Sequence, residues 1–198
     1  MRFTKFAAIN MFSLLLGLLL FIGLHLTLEF GLRPLLIDCC GSENAYKGAY
    51  SLLALIGLGL IVWGKASAPF IMLWQPKFEL RSVSHMLMIP AVILVIAGNT
   101  PMSYIRHHLR NPMLAGVTLW GLAHLWSNGD LASVLLFGTM TIWAGFKFLY
   151  LGLKNTSRIG QGSPAVFRDI IALCSGLIIY TLISRYHGEM FGVGLDFV

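Results

Sequence analysis

Charge is what this sequence has least of. Only 11% of its 198 residues are Asp, Glu, Lys or Arg, and eight of those are acidic, where a soluble domain carries roughly a quarter. That scarcity excludes an ordinary soluble fold. With 57% hydrophobic residues and a mean hydropathy of +0.79, the chain reads as an integral membrane protein. Cysteine is scarce too. Cys39 and Cys40 are vicinal in a loop, Cys174 lies in an apolar run, and no Cys-x-x-Cys or Cys/His spacing points to zinc or a redox dithiol. The net charge of +6 is scattered through short loops with no interleaved basic and aromatic patch. Nucleic acid is therefore not an expected partner, and the positive charge reads as anchoring to the lipid bilayer. With no low-complexity tract, repeat or second domain, residues 1–198 read as one membrane domain.

What the chain has in abundance is apolar runs of the length that crosses about 30 Å of hydrocarbon. Hydropathy and helix breakers predict an all-α, polytopic membrane bundle of about six spans: residues 6–28, 48–64, 83–98, 112–128, 131–151 and 167–186. Pro90 is expected to kink the third span. Pro112 suits the first turn of the fourth. "MRFTK" before the first run has the look of a secretory leader, but the run is too long and lacks an A-x-A-like cleavage site, so it is expected to remain as a span.

The segments "GLRPLLIDCCGSENAYK", "KASAPFIMLWQPKFELRS" and "KNTSRIGQGSPAVFRD" read as interfacial loops, with Trp63 and Trp74 at headgroup level. With the N-terminus inside, Arg2, Lys5, Lys65, Lys77, Arg81 and Arg185 fall on the inner side. Arg33, Lys47, Arg106, Arg110, Lys154, Arg158 and Arg168 then fall outside. The two sets balance, and the positive-inside rule does not orient the chain.

Polar groups inside such spans are costly and call for a reason. Three of the six histidines lie there or at the edge: His25 near the end of the first span, His124 in the fourth, His187 after the sixth. A neutral imidazole ligates iron well, and apolar helices lined with aromatics and glycines hold a porphyrin in b-type cytochromes, so haem b is the candidate cofactor. Pro112, Gly116, Trp120 and His124 recur every four residues on one helix face, with Gly121 opening space beside the histidine; Gly17, Phe21 and His25 do the same. The same spacing also serves helix packing, and an intramembrane histidine also serves as partner to a neighbouring carbonyl; periodicity does not separate the readings. Alternating spans would put His25 and His124 toward opposite membrane faces.

"SNGD" at 127–130 reads as a tight hairpin between the fourth and fifth spans. Asn and Gly there tolerate positive φ, and Asp130 caps the fifth helix at the positive end of its dipole. Lys147 inside the fifth span is expected to snorkel rather than to serve a haem propionate, and His85 to sit at the interface. Arg106, His107, His108 and Arg110 form a basic interfacial cluster suited to headgroup contact in preference to a propionate or an anionic substrate.

"NPMLAGVTLWGLAHLWSNGDLASVLLFG" and "YKGAYSLLALIGLGLIVWG" resemble the NnrU family of bacterial membrane proteins, whose plant relatives include the zeta-carotene isomerases. The likeness runs from "FIGLH" to the C-terminal "YHGEMFGVGL". It implies a polytopic bundle in a bacterial inner membrane and, through the isomerase branch, a b-type haem on two histidines that fall on His25 and His124. The isomerase branch has a cysteine three residues before the second histidine; here it is Gly121, so a histidine-to-cysteine ligand exchange is not available. The family's Arg-His-Pro entrance to the fourth helix is Arg110, Asn111 and Pro112 here, and its C-terminal His-Pro is His187 and Gly188.

The resemblance implies nitrogen-oxide metabolism linked to denitrification, or redox-dependent cis-trans isomerisation of a long apolar polyene, which would be a hydrophobic small-molecule substrate. Two alternatives use the same residues differently. A membrane methyltransferase of the isoprenylcysteine type also enters a helix with Arg-His-Pro, but this chain has Asn111 in place of that histidine and no downstream acidic pair in a C-terminal helix. A non-catalytic haem sensor or assembly partner would use the same iron without turnover.

Overall fold

The computed structural model describes residues 2–27, 29–77, 81–153, 162–192 and 195, with residues 2–9 as backbone only. The loop at 154–161, with Lys154 and Arg158, the side chains of Arg2 and Lys5, and the predicted end of the first span at Leu28 lie outside the described residues. Among the described residues eight helices follow in order: α1 Arg2–Leu26, α2 Arg33–Cys40, α3 Glu43–Ser67, α4 Arg81–Asn99, α5 Tyr104–Leu109, α6 Pro112–Ser127, α7 Leu131–Leu153 and α8 Val166–Phe191. Each of the six predicted runs is helical, as α1, α3, α4, α6, α7 and α8.

Four of these, α3, α4, α7 and α8, are long and apolar enough to cross a membrane. The apolar part of α1, Asn10–Leu26, is shorter, and α6 has 16 residues, about 24 Å of helix. Large apolar side chains face outward along the spans, such as Leu19, Leu55 and Ile142 at 72%, 66% and 73% exposure. Hydrocarbon rather than water is the solvent that makes such a surface stable.

Local chemistry sets the ends. Ser42 accepts the amide of Ala45 at 3.2 Å and starts α3 before the apolar run begins. Gly192, at φ 72°, closes α8 in the left-handed conformation. Pro112 is in the first turn of α6 as expected, and α4 continues through Pro90. Two helices lie in segments that the sequence reads as loops. Helix α2, opened by Pro34 and closed by left-handed Gly41, carries Cys39 and Cys40. Helix α5, capped by Ser103, carries His107 and His108.

The chain divides into two compact units, Met1–Leu73 with Asp130–Leu136, and Trp74–Gly129 with Phe137–Val198. In the first, α1 and α3 run antiparallel in close contact. Gly17 lies where a β-carbon would be 2.7 Å from the Ile61 amide, and at Gly64 one would strike the Leu14 backbone. Asn10 closes the pairing by donating to the Ser67 carbonyl at 2.8 Å. In the second unit α4 packs antiparallel against both α6 and α8. A β-carbon at Gly116 would lie 2.7 Å from the Ala91 carbonyl, and one at Gly176 2.8 Å from Ile93. Backbones come this near because glycine leaves room, the packing device of helices that hydrophobic burial does not drive together.

Candidate functional site

His124 occupies the last turn of α6. Its Nδ1 is 2.8 Å from the Trp120 carbonyl one turn back. Its ring stacks on Phe137 with centroids 4.3 Å apart and planes at 23°, and Trp120 meets Phe137 edge-on at 5.0 Å. The His124 carbonyl is also in use, accepting the Asn128 amide at 2.9 Å and the Asn128 Nδ2 at 2.8 Å. Asn128 is thereby accounted for as the residue that ends α6.

His25, in the other unit, adopts the same pose in the last turn of α1. Its Nδ1 is 2.8 Å from the Phe21 carbonyl, its ring is 4.3 Å from Phe21, and Tyr50 of α3 stands edge-on at 5.7 Å. A backbone carbonyl can only accept, so in both residues Nδ1 carries the proton. Nε2 is then the nitrogen with the lone pair.

His187, in the last turns of α8, lies within electrostatic reach of His124 and packs on Phe191 at 4.9 Å. From α4, His85 Nδ1 meets the Tyr180 hydroxyl of α8 at 3.1 Å, and Ser84 donates to the Ala123 carbonyl of α6 at 2.9 Å. The second unit thus gathers polar groups from α4, α6 and α8 at one end. Among the described residues no three His, Cys, Asp or Glu side chains converge in the manner of a protein-only metal cage.

The structure revises two local readings. Gly121 does not open space beside His124: a β-carbon there would run into the Thr141 hydroxyl and lie 3.0 Å from the Phe137 carbonyl. The position is a close contact with α7. The 127–130 turn uses no positive φ either, since Asn128 is extended at φ −123°. Gly129 is needed because any side chain would collide with the Trp74 carbonyl.

The reason for that crowding is an extended stretch that crosses beside the turn. Trp74 donates its amide to the Gly129 carbonyl at 3.2 Å, Leu131 donates to Ile71 at 2.8 Å, and Met72 pairs with Asp130 as an isolated antiparallel bridge. Asp130 caps α7 as predicted, accepting the Ser133 amide at 3.0 Å and its hydroxyl. It is only 6% exposed. Lys65 reaches its Oδ2 at 3.0 Å. Burial pushes the Asp130 carboxyl up, but the Ser133 bonds and the Lys65 ammonium outweigh it and hold the group below the usual carboxylate range.

Sequence reasoning singled out His25, His124 and His187, and missed their supports. Phe137 and Tyr50 come from other helices and leave no trace in the spacing around either histidine. The Lys65 partner of Asp130 is 65 positions away. Lys147, placed to snorkel, lies over the Trp143 ring at 5.6 Å, a cation–π pose.

Fold and site together define an all-helical membrane protein whose helix ends carry histidines in one fixed tautomer. The chain belongs to the NnrU family: its model, described as NnrU protein, matches residues 13–195. No curated protein and no solved structure matches the chain.

Proposed function

We propose that this chain is a haem b protein of a bacterial inner membrane, with His25 and His124 as the residues preferred to hold haem and His187 in reserve. The observation that supports the reading is the shared pose of the two histidines, each with Nδ1 at 2.8 Å from the carbonyl four residues back. A carbonyl on the far nitrogen is what orients ligating imidazoles and raises the basicity of the nitrogen that binds. The donor set fits haem: imidazoles on apolar helices, each beside aromatic rings. The described clefts, at Leu109–Leu153 and Thr100–Ile171, are lined by neither histidine, so the fit is one of donor chemistry.

A bound haem would supply one-electron chemistry. The chain's part is to keep the two imidazole rings from turning, through the backbone bonds and the Phe21 and Phe137 contacts. The activity this reading favours is nitrogen-oxide chemistry. Redox-dependent isomerisation of a polyene is the second reading. Gly121 bears on it, because no cysteine stands there to take the place of a histidine.

The test is an ultraviolet–visible spectrum of detergent-purified protein expressed with ample haem, oxidised and dithionite-reduced, beside His25→Ala, His124→Ala and His187→Ala. A Soret band with sharp reduced α and β bands, lost or shifted in His25→Ala and His124→Ala, is the expected result. A folded, colourless wild type overturns it, and S-adenosylmethionine binding by that protein would establish the methyltransferase alternative.

A further inference from the structure

The opposite end of the second unit carries a feature that haem ligation does not use. Helix α5 and the residue after it carry Arg106, His107, His108 and Arg110, the Arg106 guanidinium donating to the Thr100 carbonyl at 2.5 Å, and Arg168 opens α8 close by, its guanidinium donating to the Met102 carbonyl at 2.8 Å. The acid described at this end, Asp169, is occupied: its oxygens accept the Tyr104 and Ile105 amides at 2.9 Å each. Among the described residues at this end the balance is positive, three arginines to one carboxylate.

Arg110 stands in a costly backbone. It is the only non-glycine residue with positive φ among those described, at 61° with ψ −48°, and the Asn111 amide turns back to the Leu109 carbonyl at 2.6 Å. This is a γ-turn of the rare, strained hand, which glycine would adopt freely. Strain of this kind persists where a binding site requires the side chain. The residues on either side, Leu109 and Asn111, line an apolar cleft of about 190 Å³ closed by Phe148, Leu149, Gly152 and Leu153 from the last turns of α7. A second cleft at this end, formed by Thr100, Pro101, Phe167 and Ile171, is likewise edged by an arginine, Arg168.

We propose that the α5–α6 junction and the last turns of α7 form a site for one anionic phospholipid, with an acyl chain in the Leu109–Leu153 cleft and the headgroup phosphate on the Arg110 turn and its basic neighbours. Charge selects the occupant. A basic rim above an apolar slot complements a phosphate joined to a hydrocarbon chain, and a zwitterionic lipid fills the slot without satisfying the rim. The turn sets Arg110 between two residues of the slot's lining, Leu109 and Asn111.

The test uses the full chain in a neutral detergent, titrated with phosphatidylglycerol or phosphatidylcholine and read by native mass spectrometry with a thermal melt. Wild type should retain phosphatidylglycerol about tenfold better than phosphatidylcholine. Arg110→Gly removes the charge while glycine keeps the turn, and should bring the two lipids within about twofold. Gly152→Phe places its side chain where a β-carbon meets nothing within 4 Å, so it should fold normally and lose both lipids. Equal retention of the two lipids by wild type, or an unchanged preference in both variants, overturns the proposal. So does inorganic phosphate alone reproducing the thermal shift, which would make the site one for a free anion.

Discussion

The Lys65 ammonium and the Asp130 carboxylate meet at 3.0 Å, joining the last turn of α3 to the first residue ahead of α7. The Asp130 side chain is 9% exposed and that of Lys65 32%. The carboxylate is therefore the member that depends on its partner, while the lysine still reaches solvent.

Removing the two partners should have unequal effects. Lys65→Met leaves a buried carboxylate with only its Ser133 bonds and is expected to cost about 1–2 kcal/mol, discounted from a fully buried pair because Lys65 is partly solvated. Asp130→Ala loses cap and pair together, about 2–3 kcal/mol. The double variant should resemble Asp130→Ala alone, because the lysine has nothing left to meet. Unfolding in mixed detergent micelles measures all three, and additive losses would show that the two groups act independently.

Acid should act through the same residue. The Asp130 carboxyl is held below its ordinary value of 3.8 in the fold. Its stabilising contribution is therefore complete above the unfolded value, and is lost as pH falls from there through the folded value. Melting temperature should drop more steeply below about pH 4 in wild type than in Asp130→Asn. Parallel curves would remove Asp130 from the acid response.

Gly121→Cys should destabilise the α6 and α7 contact, since its β-carbon meets the Thr141 hydroxyl. A loss of about 2 kcal/mol is expected, with Thr141→Ala restoring part of it in the double variant. Circular-dichroism melts read the rescue. If the cysteine variant is as stable as wild type, the position has the space that the sequence alone suggests.

Glycines within α3 should divide by contact. Gly64→Ala drives a methyl into the Leu14 backbone and should cost about 1–3 kcal/mol. At Gly59 a β-carbon meets nothing within 4 Å, and alanine should raise helix stability by up to about 1 kcal/mol. The same melts compare the two, and equal effects would mean that α1 and α3 do not pack through Gly64.

The six apolar runs, the start of α6 at Pro112 and the cap at Asp130 were legible from sequence, because each depends on its own few neighbours: hydropathy summed over a window, a ring that presets φ, a carboxylate three residues from the amide it accepts. The candidate histidines were legible for a related reason, since a titratable ring in an apolar run stands out wherever its partners are. Helices α2 and α5 were not: they are one or two turns long, and polar residues in them read as loop. Nor was the role of Gly129, whose need to be glycine comes from the Trp74 carbonyl, or that of Gly121, whose open side is filled by Thr141. Lys65 meeting Asp130, Tyr50 standing beside His25 and Phe137 lying on His124 belong to tertiary structure alone. Such pairs form only when separate helices are brought together, and in a membrane that approach is governed by close backbone packing at glycines, which leaves no period in the sequence that names its partner.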